Sequence, residues 1–217
     1  MFFPYKDDNP RILTPIITYF LIGLNILVFT FQIFAQYNLI NNFAIIPNTV
    51  FTNFPYFCFT LISSTFLHGG FMHLIGNMIY LWIFGDNVEG YMGHFNFFIF
   101  YILCGVIAGS IQALFDLNSI IPIIGASGAV AGILGSYLIL YPKAKIHSIV
   151  FIFFYFTSLK IPAYVVLIFW FLIQLTNGYT SIGMNISGGI AWFAHIGGFA
   201  TGLIFIFLFK KIRFLNK

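Results

Sequence analysis

Long apolar runs separated by short polar breaks dominate the chain from residue 15 onward. A helix needs about 20 apolar residues to cross a hydrocarbon slab about 30 Å thick, and the first such run predicts a helix over 15–35. The connection that follows, 36–70, mixes apolar and polar residues; it is too apolar to be simply solvated and is placed partly in the membrane interface. A second helix is predicted over 71–85, a third over 94–115 and a fourth over 127–141, where Pro142 stops it. Residues 146–159 are apolar but short and end at Lys160 with Pro162 behind it, which predicts a re-entrant or interfacial segment. A fifth helix over 162–176, a flexible glycine-rich loop over 178–189 and a sixth helix over 190–209 complete the pattern. The expected fold class is an all-α membrane protein, a six-transmembrane-helix bundle with a membrane-embedded first loop. Its one domain covers 15–209, between cytoplasmic tails at 1–14 and 210–217.

Composition agrees: 60% of the 217 residues are hydrophobic and only 6% are charged, which excludes an ordinary soluble domain. The net charge of +4 does not point to nucleic acid, because the cations form no polar patch. Lys6 and Arg11 precede the first span, Lys143, Lys145 and Lys160 flank the fourth-to-fifth connection, and Lys210, Lys211, Arg213 and Lys217 follow the sixth. In a six-span arrangement all of them fall on one side, so both termini are expected in the cytoplasm. A full span at 146–159 would put the C-terminal cluster outside and is rejected for that reason. The first apolar run is long and lacks a small-residue cleavage site, so it reads as an uncleaved span, and with no Arg-rich leader before it the expected location is a bacterial plasma (inner) membrane. Cys58 and Cys104 sit in apolar surroundings without metal-type spacing and read as small hydrophobes.

Polar groups inside a bilayer are costly and so are functional candidates. Ser127, in Gly125-Ala126-Ser127-Gly128, opens the fourth helix. Taken alone, such a string is better explained by close helix packing through small residues. The helix is short, however, at about 15 residues or 22 Å, so its outer end stops below the membrane surface. Ser127 is therefore expected in a recess, at a helix N-terminus whose free N–H groups and dipole favour a developing oxyanion. His195 lies near the start of the sixth helix, which begins on the same side and so at the same depth. Gly198 and Gly202, opposite Gly128 and Gly132, supply faces that let the two backbones approach. Alone, His195 reads equally as a structural hydrogen-bonder or a proton relay; paired with a recessed serine it reads as a base. His73 and Asn77 are four apart on one face of the second helix, two donors that could serve an anion. Zinc is disfavoured there, since no His-Glu-x-x-His arrangement exists and Asp86 is at the far end of the helix. His68 reads as a loop-anchoring hydrogen-bonder. Of the acids only Asp116 falls on the active side, in a poor position, so the site is expected to be a dyad with His195 held by packing.

Taken together, His68-x4-His73-x3-Asn77, Gly125-x-Ser127-Gly128 and Ala194-His195-x2-Gly198-x3-Gly202 resemble the motifs of rhomboid intramembrane serine proteases, in order and on the second, fourth and sixth spans. The resemblance implies that Ser127 attacks the substrate carbonyl, that His195 accepts and returns the proton, and that the Ser127 N–H with His73 and Asn77 forms the oxyanion hole. Gly125, Gly128, Gly198, Gly202 and His68 would be supporting residues. It further implies single-span transmembrane protein substrates cut near the outer face, a glycine-rich cap over the site, and no cofactor or metal. A Trp-Arg pair found in the first loop of some bacterial members is absent near Phe59-Thr60, so no role is carried over for it. Two rival classes are a catalytically inactive relative that binds transmembrane clients, and a small channel or transporter with His68, His73 and His195 as a polar path. The second lacks the repeated halves and paired broken helices of such proteins.

Overall fold

A computed structural model describes residues 2–35, 39–50, 52–152, 155–183 and 189–215. Helix α1 (Ile16–Phe34) is followed by two short helices, α2 (Leu39–Phe43) and α3 (Phe54–Ser63), and then by α4 (Phe71–Met92), α5 (His94–Phe115) and α6 (Ser127–Leu140). Helices α7 (Ala163–Gly183) and α8 (Trp192–Leu215) close the bundle. By length and composition α1, α5, α7 and α8 are each able to cross a membrane, and α3 and α4 pass the same test as a pair bent by 82°. The protein is a multi-pass membrane protein. Tyr101, Tyr137, Phe84, Phe97 and Phe100, from α4, α5 and α6, form its fully buried centre.

The α5 boundaries match the sequence pattern, but α4 runs past residue 85. Asp86, Asn87 and Glu89 look like a helix end in sequence, yet each has partners that make burial tolerable. Arg11 Nε donates to Asp86 at 2.9 Å, and Asn87 Nδ2 donates to Asp7 at 3.0 Å. The fully buried Glu89 carboxylate accepts from the Ile17 N–H at 2.9 Å, the Thr18 N–H at 2.8 Å and the Thr18 hydroxyl at 2.7 Å, and lies 2.5 Å from His94 Nδ1. Glu89 thus caps the first turn of α1, where unpaired donors and the helix dipole both favour an anion. The chain then breaks at Gly93, whose φ of +80° suits glycine.

The all-α expectation fails at the 146–159 segment. It folds into a hairpin of β2 (Lys145–Ile152) and β3 (Tyr155–Pro162), and the N-terminal residues add β1 (Phe2–Asp7) antiparallel to β2, in the order β1-β2-β3. Burial along β2 does not alternate cleanly, since Ile146, His147 and Ser148 are all buried between the exposed Lys145 and Ile149. Residues 2–7, placed in a tail by the sequence pattern, are therefore anchored. The Tyr137 hydroxyl donates to Asp7 at 2.5 Å, and the Lys145 N–H donates to Asp8 at 2.8 Å. Lys6, Arg11, Lys145 and Lys160 thereby gather at the end where α4 and α6 finish.

Helices α6 and α8 touch backbone to backbone. A β-carbon on Gly198 would collide with the Gly128 carbonyl, one on Gly202 with the Gly132 carbonyl, and one on Gly128 would lie 2.5 Å from Ala108 Cβ. Helix α7 continues to Gly183, beyond the predicted end at 176, and α8 runs to Leu215, past 209. Of the predicted 178–189 loop, Gly178 is helical and 184–188 lie outside the described residues, as do residue 36 of the first connection and Lys217.

Candidate active site

Helices α4 to α8 converge on one cavity of about 1210 Å³ lined by His73, Asn77, Ser127 and His195 among others. Ser127 is the first residue of α6, so its N–H belongs to the turn that has no intrahelical carbonyl to bond. The approach to it is fixed by Gly125, whose φ of +120° and whose N–H bond to the Ser64 carbonyl, 2.9 Å, turn the chain into the helix. A β-carbon at 125 would lie 2.7 Å from His73 Nε2, so glycine is required there by space as well as by backbone conformation.

His73 and Asn77 stand on the first and second turns of α4. The Gly69 N–H donates to His73 Nδ1 at 3.3 Å. In the neutral ring this makes Nδ1 the acceptor and leaves the proton on Nε2, the atom beside Gly125. Asn77 Nδ2 is buried with no partner among the described residues. The Ser127 N–H, His73 Nε2–H and Asn77 Nδ2–H are thus three donors around one space, a set that can receive an oxyanion.

His195 sits in the first turn of α8. The Gln112 side-chain oxygen Oε1 holds that turn by accepting from the Phe193 N–H at 3.0 Å and the Ala194 N–H at 3.1 Å. Its ring is not held by packing alone, as the sequence pattern implied. Nδ1 is 2.8 Å from Gln174 Oε1 of α7, with the Trp170 ring 5.8 Å away and the Trp192 ring 6.3 Å away, centroid to centroid. Nε2 is the nitrogen left for chemistry. Among the described residues no hydrogen bond joins the Ser127 hydroxyl to His195, although both line the cavity.

His68 anchors its loop through the backbone and not through its ring. Gln32 of α1 donates to the His68 carbonyl and accepts from its N–H, both at 3.0 Å. The imidazole is buried, and neither of its nitrogens has a hydrogen-bond partner among the described residues; it packs edge-on to Phe29 and His73. Asp116 lines the cavity, but His195 Nδ1 takes Gln174 as its partner. Gln112 and Gln174 escape motif reading. Each is nonetheless an amide within a largely apolar helix, and the cost of such a group inside a membrane is the signal that could have flagged it.

A bundle of apolar helices enclosing a polar recess, with a serine at a helix start and an imidazole lining the same cavity, defines a class of multi-pass membrane protein with a polar pocket inside an apolar bundle. The family model described as the Rhomboid domain matches residues 57–212, and the chain belongs to the rhomboid family. It is 29% identical over 216 residues to Rhomboid protein 1, mitochondrial, of Saccharomyces cerevisiae, covering 96% of this chain and 56% of that one. It is 36% identical over 148 residues to RHOMBOID-like protein 4 of Arabidopsis thaliana, covering 68% and 33%. It is 30% identical over 203 residues to RHOMBOID-like protein 12, mitochondrial, of the same plant, covering 84% and 55%. The chain thus spans between a third and just over half the length of these relatives. The expectation of a bacterial plasma membrane draws no support from them, since all three are eukaryotic and two are named as mitochondrial.

Proposed function

We propose that the protein is an intramembrane serine endopeptidase that cuts single-span transmembrane proteins near one membrane face. The observation that carries this reading is the single cavity shared by Ser127, His195, His73 and Asn77, with Ser127 at the start of α6. In this reading Ser127 Oγ attacks the scissile carbonyl carbon while His195 Nε2 takes its proton, and the oxyanion rests on the Ser127 N–H, His73 and Asn77. The proton then passes to the leaving amine, and water, activated by the same imidazole, releases the acyl group from Ser127. Six spans serve this role: α1 and α4 to α8, with α2 and α3 as a first loop embedded in the membrane.

Ser127→Ala is expected to abolish cleavage of a model transmembrane substrate in proteoliposomes while leaving the thermal midpoint within a few degrees of the parent. Cleavage at the parental rate in that variant removes the proposal. One observation favours the rival reading, an inactive protein that binds transmembrane clients: the unformed Ser127 to His195 hydrogen bond. That reading predicts no labelling of Ser127 by a fluorophosphonate.

A further inference from the structure

We propose that Gln174 is the third member of the catalytic arrangement, a positioning residue that fixes which nitrogen of His195 carries the proton. This rests on the serine-protease reading. Gln174 is only 4% exposed, in a stretch, 165–175, whose other residues are all apolar. A buried amide there is costly unless both of its polar ends are bonded, and both are. Nε2 donates to the Trp170 carbonyl at 3.1 Å, and Oε1 lies 2.8 Å from His195 Nδ1.

The two bonds together assign the protons. The Trp170 carbonyl can only accept, so the amide end facing it is the NH2 group and the end facing His195 is the carbonyl oxygen. An amide oxygen can only accept, so His195 Nδ1 carries a hydrogen. The neutral ring then has its lone pair on Nε2, the form required to take a proton from Ser127. When His195 becomes imidazolium, the same Nδ1–H bond to Gln174 becomes charge-assisted and strengthens, with no proton moving to the amide. Gln174 thereby does the orienting work of a triad carboxylate without burying a second charge. It also answers why Asp116, the one acid lining the cavity among the described residues, is not needed for that role.

The test uses the full chain in lipid nanodiscs with a transmembrane substrate. Gln174→Met keeps length and volume but removes the acceptor, whereas Gln174→Glu keeps an acceptor. Gln174→Met is expected to lower kcat by about tenfold or more, the effect of leaving a buried donor unpaired, with KM within about twofold. Gln174→Glu is expected to recover part of the loss. In the Ser127→Ala background, 15N-histidine spectra are expected to show His195 protonated on Nδ1, and Gln174→Met to convert it to a tautomer mixture. A parental kcat in Gln174→Met, or His195 protonated on Nε2 with Gln174 intact, overturns the inference. If the parent cleaves nothing in a Ser127-dependent way, the protease reading is what fails, and the spectra still decide the tautomer. They also decide it if Gln174→Met does not fold, because the informative spectrum is that of the chain with Gln174 in place.

Discussion

Two donors around Ser127 face the cavity without protein partners among the described residues. Asn77 Nδ2 has none among the described residues, and His73 Nε2 is freed as a donor because Nδ1 is occupied by the Gly69 N–H. An unpaired buried donor costs stability and is retained where something else is to bind it. Replacing either side chain with alanine is therefore expected to lower kcat by about 10²-fold, with KM nearly unchanged, in steady-state cleavage assays. Gly125→Ala is expected to be as damaging, since its β-carbon would push the His73 ring away from the site. Sequence made these residues visible because chemistry restricts their types: a nucleophile, a base and two donors at helical spacing. It did not reveal Gln174 or Gln112, which act through an amide that any helix could carry, nor that His68 anchors through its main chain.

Between elements, glycine placement separates contacts that matter from those that do not. Gly198→Ala would drive a methyl into the Gly128 carbonyl and is expected to cost about 1–3 kcal/mol, read as a fall in thermal midpoint. Gly23→Ala in α1, where nothing lies within 4 Å, is expected to be neutral or slightly stabilising. The helices were legible because apolar length alone defines a span. The sheet was not, for two reasons: β2 and β3 are apolar on both faces in places, and β1 lies about 140 positions from its partner, a pairing that no local pattern announces. Docking of β1 also predicts a pH response. Burial raises Asp7 to about 6 against an ordinary 3.8, the Asp86 and Asp8 charges adding to the rise and the Tyr137 and Asn9 hydrogen bonds opposing it. An acid with a raised value is penalised when ionised. The penalty is full above about pH 6 and fades as pH falls from about 6 towards 4, so Asp7 favours the folded state more at the acid end. The thermal midpoint of the parent is expected to gain on Asp7→Asn as pH is lowered from 7.5 to 5; parallel curves would contradict this.

Across the whole molecule the two ends of the bundle carry opposite bargains with polarity. At the Ser127 end donors are left open around a cavity, whereas at the opposite end the acids Asp7, Asp8, Asp86 and Glu89 are paired, the buried Ser148 hydroxyl of β2 being an exception. Glu89 ties α4 to the first turn of α1 and to His94 of α5, Arg11 ties the N-terminal segment to Asp86, and the Asp7 and Tyr137 pair ties β1 to α6. Helix α6, 14 residues long, carries Ser127 at the cavity and Tyr137, bonded to Asp7 of β1, near its other end, so one short helix joins the two regimes. Stability should then be held at the closed end and activity at the open end. Glu89→Ala would strip a fully buried carboxylate from three donors of α1, two main-chain and one side-chain, and is expected to cost at least about 2 kcal/mol. Its kcat per folded, fluorophosphonate-labelled molecule should stay near the parental value at a temperature where it remains folded. Asn77→Ala should do the reverse, keeping the midpoint and losing turnover. If Glu89→Ala instead lowers turnover of the folded molecules as much as Asn77→Ala does, the two ends are coupled through α4, and the division of labour along that helix is wrong.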